Sequence, residues 1–446
     1  VRWDEASCVH FVYLYTEIAR KLGGDVPSFL RLTGRPRPFV DVEQRPTLNA
    51  EPVPSLRVAS IDIGGGSTDL MITTYYADGR YAILPVQTFR ESFRIAGDDI
   101  LKTLIERAVI PQIAKRLVAC GVQVHQEVLN AKFGGNRANM SEQDKHLRQQ
   151  FVLRILRPLG IELLRAFEAS NIADQEVMVV KTINTLIADG HFHSVSDRIV
   201  NYIAETTNVP GRSPFALGEV ELEYDYGRVR DAVVSVMDEI FSNAAEVLNH
   251  FDCDVVLLSG RPSRLPAVVD LVVNKLAVAP DRVLPLHEYR VGPWYPFKTK
   301  DNSRISDPKT ATVVGGMLCA LAERQIMNLT IHSDRLTLKS TAKFIGQLES
   351  DGRLPSENIW FSPEAIEAGQ GGIEIRYDAP MRIGFRQLEF SRWTASPLYK
   401  LSLPPDQRAR MPVSVVLQRG VPEDDATFEE INRLQKSEAQ KEEIRI

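Results

Sequence analysis

Long apolar runs are missing from this sequence. None approaches the ~20 residues a bilayer-spanning helix requires, so a helical membrane protein is excluded. Cysteine is scarce: Cys8, Cys120, Cys253 and Cys319 stand far apart in apolar stretches, and no two form a C-x-x-C pair. Buried, reduced thiols are therefore expected rather than a disulfide framework or a zinc ribbon. Basic charge is not in excess either. A formal net charge of −5 leaves no electrostatic footprint for nucleic acid or an anionic membrane, and neither partner is expected. No signal peptide is recognisable, which makes the cytoplasm the expected compartment, and no internal repeat is visible.

What the sequence does contain starts with an ordinary globular composition. Its 446 residues are 44% hydrophobic and 25% charged, enough for two or three domains with cores. Residues 2–22 carry Phe11, Leu14, Tyr15, Ile18 and Leu22 at helical spacing, and Gly23-Gly24 ends the predicted helix. Because Val1 falls inside that helix, the chain reads as a fragment whose own N-terminus lies upstream. Six prolines from Pro27 to Pro54 mark 25–55 as an irregular connection. Over 56–121, the runs LRVASIDI, TDLMITTYY and YAILPVQTFR predict an antiparallel meander, since the turns between them are short. A helix follows from Asp98 to Cys120, stopped by Gly121 and kinked or divided at Pro111. Residues 122–227 give few signals beyond a helix near 154–170 and read as an inserted subdomain. Within 228–325, a helix over 228–250, a buried strand DVVLLSG (254–260) and helices over 265–276 and about 308–324 are expected. Residues 326–420 alternate short β-prone runs with Pro and Gly turns, predicting a separate β-rich domain. The stretch 421–446 is a charge-dense tail.

Chemistry concentrates at Ile61–Leu70, IDIGGGSTDL. A Walker loop ends in Gly-Lys-Ser/Thr and opens a helix, and a dinucleotide fingerprint also opens a helix. Here the lysine is missing and β-prone TDLMITTYY follows, which leaves strand, glycine turn, strand. Gly64, Gly65 and Gly66 let the backbone approach a ligand and aim N–H donors at phosphate oxygens. Ser67 and Thr68 add hydroxyls. Asp62 and Asp69 flank the turn, and paired carboxylates beside a phosphate cradle suit Mg²⁺, held mostly through water. Such a carboxylate can also orient or deprotonate an attacking water. The competing reading is a plain hairpin using Gly for geometry and Asp for turn chemistry.

The segment DIGGGSTDL resembles the second phosphate motif of the actin/Hsp70/sugar-kinase ATPase superfamily, D-[LI]-G-G-G-[ST]-x-D. Further segments match in chain order. Residues 4–9 (DEASCV) resemble the crossing helix between the two lobes of Hsp70 proteins, which would place Glu5 at the phosphate site. Residues 95–100 (IAGDDI), with Gly97, resemble the Gly-Gly-acid-acid turn. Residues 255–269 (VVLLSGRPSRLPAVV) resemble the adenosine motif, and Asp307-Pro308 with Gly315-Gly316 the closing helix. The resemblance implies an α/β fold: an actin-like (ribonuclease H-like) ATPase lobe with an inserted subdomain, followed by the β-rich C-terminal domain. It implies ATP/ADP and Mg²⁺ as cofactors. Ser259, Gly260, Arg261 and Arg264 would face the adenosine, with an arginine stacked on the base, and Gly315 and Gly316 would let the last helix approach the sheet. Two departures stand out: Ser259 replaces the first glycine of the adenosine pair, and the loop is one residue longer than usual. The superfamily's other phosphate hairpin belongs to a first lobe upstream of the crossing helix, so the chain alone is expected to bind ATP weakly and hydrolyse it poorly. Residues 383–403 (IGFRQLEFSRWTASPLYKLSL) and the opening RWDEAS resemble bacterial virulence factor SrfB proteins, as their C-terminal part.

Other constellations have plainer readings. His191 and His193, near Asp197, lack a third metal ligand. Glu162 and Arg165 form an i,i+3 surface pair, and Phe385, Trp393 and Tyr399 are expected in strand packing. The function expected is a nucleotide-dependent conformational switch, with a protein partner bound through the β-rich domain. The alternatives are a small-molecule kinase of the same superfamily, a degenerate scaffold without turnover, and an actin-like filament.

Overall fold

Three consecutive strands form the centre of the main sheet: β2 (Val53–Ile63), β3 (Thr68–Asp78) and β4 (Ala82–Phe93). They pair antiparallel in sequence order, as their short connections require. The structure is a computed structural model. It describes residues 5–418 apart from 41–50, 135–139, 171–178, 189–194, 209–212, 323–325, 327, 333–341, 368–371, 390–394 and 403–410. The helical N-terminal stretch is α1 (Glu5–Leu14), continued by a π-helical segment to Lys21. Gly23 and Gly24, both at positive φ, end it, and a Cβ at Gly24 would lie 2.1 Å from the Asn328 carbonyl.

The expected irregular connection over 25–55 is not irregular throughout. It contains α2 (Val26–Thr33) and β1 (Arg35–Arg37) before β2 begins. Proline is compatible with both, because Pro27 sits in the first turn of α2 where its N–H is not needed, with Asp25 capping from Ser28. Pro36 and Pro54 face each other across the β1–β2 pair, on the sheet margin. Arg37 then anchors β1: its guanidinium grips buried Asp254 at 2.7 and 3.0 Å.

Helix α3 (Gly97–Leu104) runs into α4 (Ile110–Ala119) through a π-helical turn, Ile105–Val109. Pro111 thus changes the hydrogen-bond register rather than breaking the helix, since a wider turn accommodates the missing donor. Helices α5 (His125–Phe133), α6 (Glu142–Phe151) and α7 (Arg157–Ala169) follow, α6 and α7 joined by a second π-turn, Val152–Leu156. The sequence reading found only the later half of that run. β5 (Val179–Thr182) pairs with β6 (Glu221–Tyr224), with short helices α8 (Ile183–Ala188), α9 (Asp197–Val200) and α10 (Ala204–Thr207) between them. The long helix α11 (Tyr226–His250) leads to β7 (Val255–Ser259), α12 (Pro266–Lys275) and β8 (Val283–Pro285). Helix α13 (Thr310–Ala322) and the short β9 (Thr330–Ile331) close the unit.

The sheet order is β8-β7-β2-β3-β4-β9, with β1 paired to β2. β7 runs parallel to β2, and all five of its residues are buried, as a continuous apolar run predicts for a strand covered on both faces. One core joins α1, α2 and α13 to the sheet through Phe11, Leu14, Phe29, Tyr75, Leu257 and Val314. Gly315 packs α13 against α1 rather than against the sheet: an added Cβ would lie 1.8 Å from the Cys8 carbonyl. The LTIHS run, read from sequence with the β-rich part, supplies β9 instead.

Contact patterns divide the chain at Leu338/Lys339. The second unit is β-rich. A four-stranded antiparallel sheet orders β11 (Ile359–Phe361), β10 (Phe344–Leu348), β13 (Met381–Arg386) and β14 (Ser396–Leu401), with helix α14 (Pro363–Glu367) following β11. β12 (Gly372–Tyr377) pairs with β15 (Val413–Gln418). Its core includes Tyr377, Ile383 and Leu417. The architecture is a mixed α/β unit on a curled mixed sheet, and a β-rich unit.

Candidate functional site

The glycine turn lies where β2 meets β3. Ile63 pairs with Thr68 and Asp62 with Asp69, so the two carboxylates stand opposite each other at the turn's base. The Gly64 N–H donates to the Ser67 carbonyl at 2.8 Å and closes the turn. A Cβ at Gly66 would meet nothing within 4 Å. Packing among the described residues therefore gives no reason for that glycine.

Gly97 has a different role from a phosphate donor. Its N–H donates to the Gly64 carbonyl at 3.1 Å, and the Asp98 N–H to that of Gly65 at 2.8 Å. The start of α3 thus clasps the turn. A Cβ at Gly97 would come within 2.9 Å of Pro262 and 3.0 Å of the Gly64 carbonyl, so glycine lets three segments converge. Thr68 is buried and its hydroxyl donates to the Ile95 carbonyl at 2.8 Å. Ser67 donates to Asp69 at 3.3 Å.

The parallel β2–β7 register brings Ser259 alongside Asp62. The Ser259 hydroxyl donates to Asp62 Oδ1 at 2.7 Å. Burial pushes the Asp62 carboxyl above its ordinary range; the Ser259 bond opposes this, nearby Asp69 and Glu5 reinforce it, and Lys309 opposes it. Burial therefore favours the neutral form of Asp62 more than it would for a solvated carboxyl. Gly260, at φ 80°, has its Cα against β2: a Cβ there would lie 2.0 Å from the Ile63 carbonyl and 2.9 Å from Asp62 Oδ1. Ser259 and Gly260 are supports for Asp62 before they are anything else. Glu5 is exposed at the start of α1.

A cleft of about 490 Å³ opens beside the turn, its lining including Gly64, Gly65, Gly97, Arg261 and Pro262 together with α7. The glycine turn and the 261–264 loop, which the sequence places far apart, share this cavity. Arg261 and Arg264 both pair with Glu168 of α7, at 2.9 and 2.6 Å, and Arg264 also donates to the Ser306 carbonyl at 2.8 Å. Glu168 was missed from sequence; the signal on that helix was Glu162 and Arg165, which stand 4.0 Å apart as an i,i+3 pair. Lys309 was missed as well, although it lines the cleft.

Among the described residues no group of three or more His, Cys, Asp and Glu side chains is placed to hold a metal. Asp62 and Asp69 are a pair, a donor set compatible only with an ion that keeps most of its water. His191, His193 and Trp393 lie outside the described residues. Tyr399 is 50% exposed and Phe385 half-buried, so β14 does not bury its aromatic as expected. The four cysteines are buried and none is in a disulfide, and among the described residues no helix is long and apolar enough to cross a membrane.

Fold and site together define a mixed α/β protein with a glycine-turn hairpin, two facing carboxylates and an adjoining cleft, followed by a β-rich unit. The chain belongs to the virulence factor SrfB family, whose sequence model matches residues 1–445. No curated protein is significantly similar to it.

Proposed function

We propose that the first unit is the nucleotide-gripping second lobe of an actin/Hsp70-type, ribonuclease H-like ATPase, acting in the cytoplasm as a nucleotide-dependent switch. One observation carries the reading: Gly64 and Gly65 of the turn and Arg261 and Pro262 of the 261–264 loop border the same cleft. Phosphates would rest on the Gly64–Ser67 turn, with Thr68 bracing it, and the adenosine against Gly260–Arg264. Bound Mg²⁺ would supply charge neutralisation at the phosphates, held by Asp62 and Asp69 mostly through water, with Glu5 supporting. Asp62, its carboxyl raised by burial, would accept the proton of the attacking water. The β-rich unit would carry the protein partner.

A binding scaffold without turnover is the second reading. It is favoured by Glu168, which occupies both Arg261 and Arg264, the arginines that would otherwise face a base. Isothermal titration of the full-length protein with Mg-ATP, paired with phosphate release, tests the proposal. Binding that Asp62→Ala weakens at least tenfold, with ADP produced, supports the switch. Binding without phosphate release supports the scaffold, and no binding at millimolar nucleotide removes both. ADP formation that requires an added sugar or carboxylic acid would indicate a kinase.

A further inference from the structure

The glycine turn carries no lysine, yet the fold brings one to it. Four basic side chains line the cleft: Arg157, Arg165, Arg261 and Lys309. Three of them are already matched. Arg157 pairs with Asp98 at 3.1 Å, Arg165 approaches Glu162 at 4.0 Å, and Arg261 pairs with Glu168 at 2.9 Å. Lys309 is exposed, and among the described residues it makes no ion pair.

Its backbone, by contrast, is fixed. The Lys309 N–H donates to Asp307 Oδ1 at 3.0 Å, Pro308 precedes it, and the Thr310 hydroxyl donates to the Asp307 carbonyl at 2.6 Å. The side chain therefore projects from a rigid turn just before α13, in the cavity that contains Gly64 and Gly65. Its charge reaches the acid at the base of the turn, since Lys309 is among the groups acting on Asp62. A compact ammonium on a flexible four-carbon stem is well suited to a phosphate whose position shifts with the state of the site. In phosphate loops generally, a lysine close to the glycines supplies the charge that backbone N–H groups cannot.

We propose that Lys309 is the cation that grips the terminal phosphate of a nucleotide seated on the Gly64–Ser67 turn. This rests on the ATPase reading given above. Lys309 substitutes, from a distant part of the chain, for the lysine that the turn lacks. It separates triphosphate from nucleoside, because its contact exists only where a terminal phosphate is present.

Titration calorimetry of the full-length protein with Mg-ATP, Mg-ADP and adenosine, in wild type, Lys309→Ala and Lys309→Arg, tests this. Lys309→Ala is expected to weaken Mg-ATP on the order of tenfold or more, the cost of one charge-assisted hydrogen bond. Adenosine should be unaffected, Mg-ADP weakened less than Mg-ATP, and Lys309→Arg should recover most of the loss. Equal Mg-ATP affinity in wild type and Lys309→Ala overturns the assignment while leaving the ATPase reading intact. A parallel loss for adenosine also overturns it, by indicating a structural role. Failure of folded wild type to bind Mg-ATP removes the ATPase reading, and this inference with it.

Discussion

At Gly260 the backbone has φ 80° and ψ 159°, a region open essentially to glycine, and a Cβ would strike β2. Gly260→Ala is expected to cost about 2–4 kcal/mol, backbone strain plus displacement of the Asp62 strand end. Gly66→Ala, where an added Cβ meets nothing within 4 Å, should leave stability unchanged. Urea unfolding of the two variants measures this, and equal midpoints would contradict the packing described for Gly260. The same pair separates geometry from ligand approach. If phosphate rests on the turn, Gly66→Ala should weaken Mg-ATP without a change in midpoint.

Asp62 and Asp69 were legible in the sequence because a hairpin is local: strand, four-residue turn and strand fix their register within ten residues. Ser259, Glu168 and Lys309 were not legible in their roles. In the sequence Ser259 stands only as a departure from an adenosine motif, whereas its hydroxyl belongs to Asp62, a pairing set by parallel strand register. Glu168 faces the cleft only because α7 passes beside the 261–264 loop, and no local pattern encodes that passage.

Among the elements, β1 shows why proline-rich sequence misled. Its three residues bury little themselves, and it is fixed by Arg37, whose guanidinium enters the sheet margin to reach Asp254, a side chain that also accepts from the Arg57 N–H at 2.8 Å. Without Arg37, buried Asp254 keeps only the exposed Arg35 at 3.2 Å and the Arg57 N–H, so Arg37→Ala is expected to destabilise by about 3 kcal/mol. Arg35, an exposed side chain that pairs with Asp252 at 2.6 Å and reaches Asp254 through Nε at 3.2 Å, should matter less, Arg35→Ala costing about 1 kcal/mol. Thermal unfolding compares them; similar losses would mean that β1 is not held by the Arg37–Asp254 pair. The π-turns before α4 and after α6 were equally out of reach, since nothing in the residues of Ile105–Val109 and Val152–Leu156 separates them from ordinary helix.

For the molecule as a whole, acid sensitivity should have a histidine component. His10, wholly buried with Nδ1 2.9 Å from the Tyr75 hydroxyl, is held neutral, its pKa lowered to about 3 by burial. His287 is lowered to about 4 by burial and by Arg264 and Arg304. Both folded values lie below the unfolded value near 6.5. Below that pH the unfolded chain binds protons that the native state refuses, so stability is complete above about pH 6.5 and is lost as pH falls towards 3–4. Each histidine adds a slope of up to ~1.4 kcal/mol per pH unit inside its window. Urea midpoints between pH 7 and 5 should fall less steeply for His10→Gln than for wild type; parallel slopes would rule out this role for His10.

The Ser259–Asp62 bond spans 197 residues of chain. The β2–β3–β4 meander needs only neighbouring segments to form, whereas β7 must return from beyond the helical insertion before Asp62 acquires its partner and its burial. Long-range parallel pairing is slow to form. The glycine turn can therefore form from its own neighbours before Ser259 arrives, and Asp62 gains that hydrogen bond only once β7 has paired with β2.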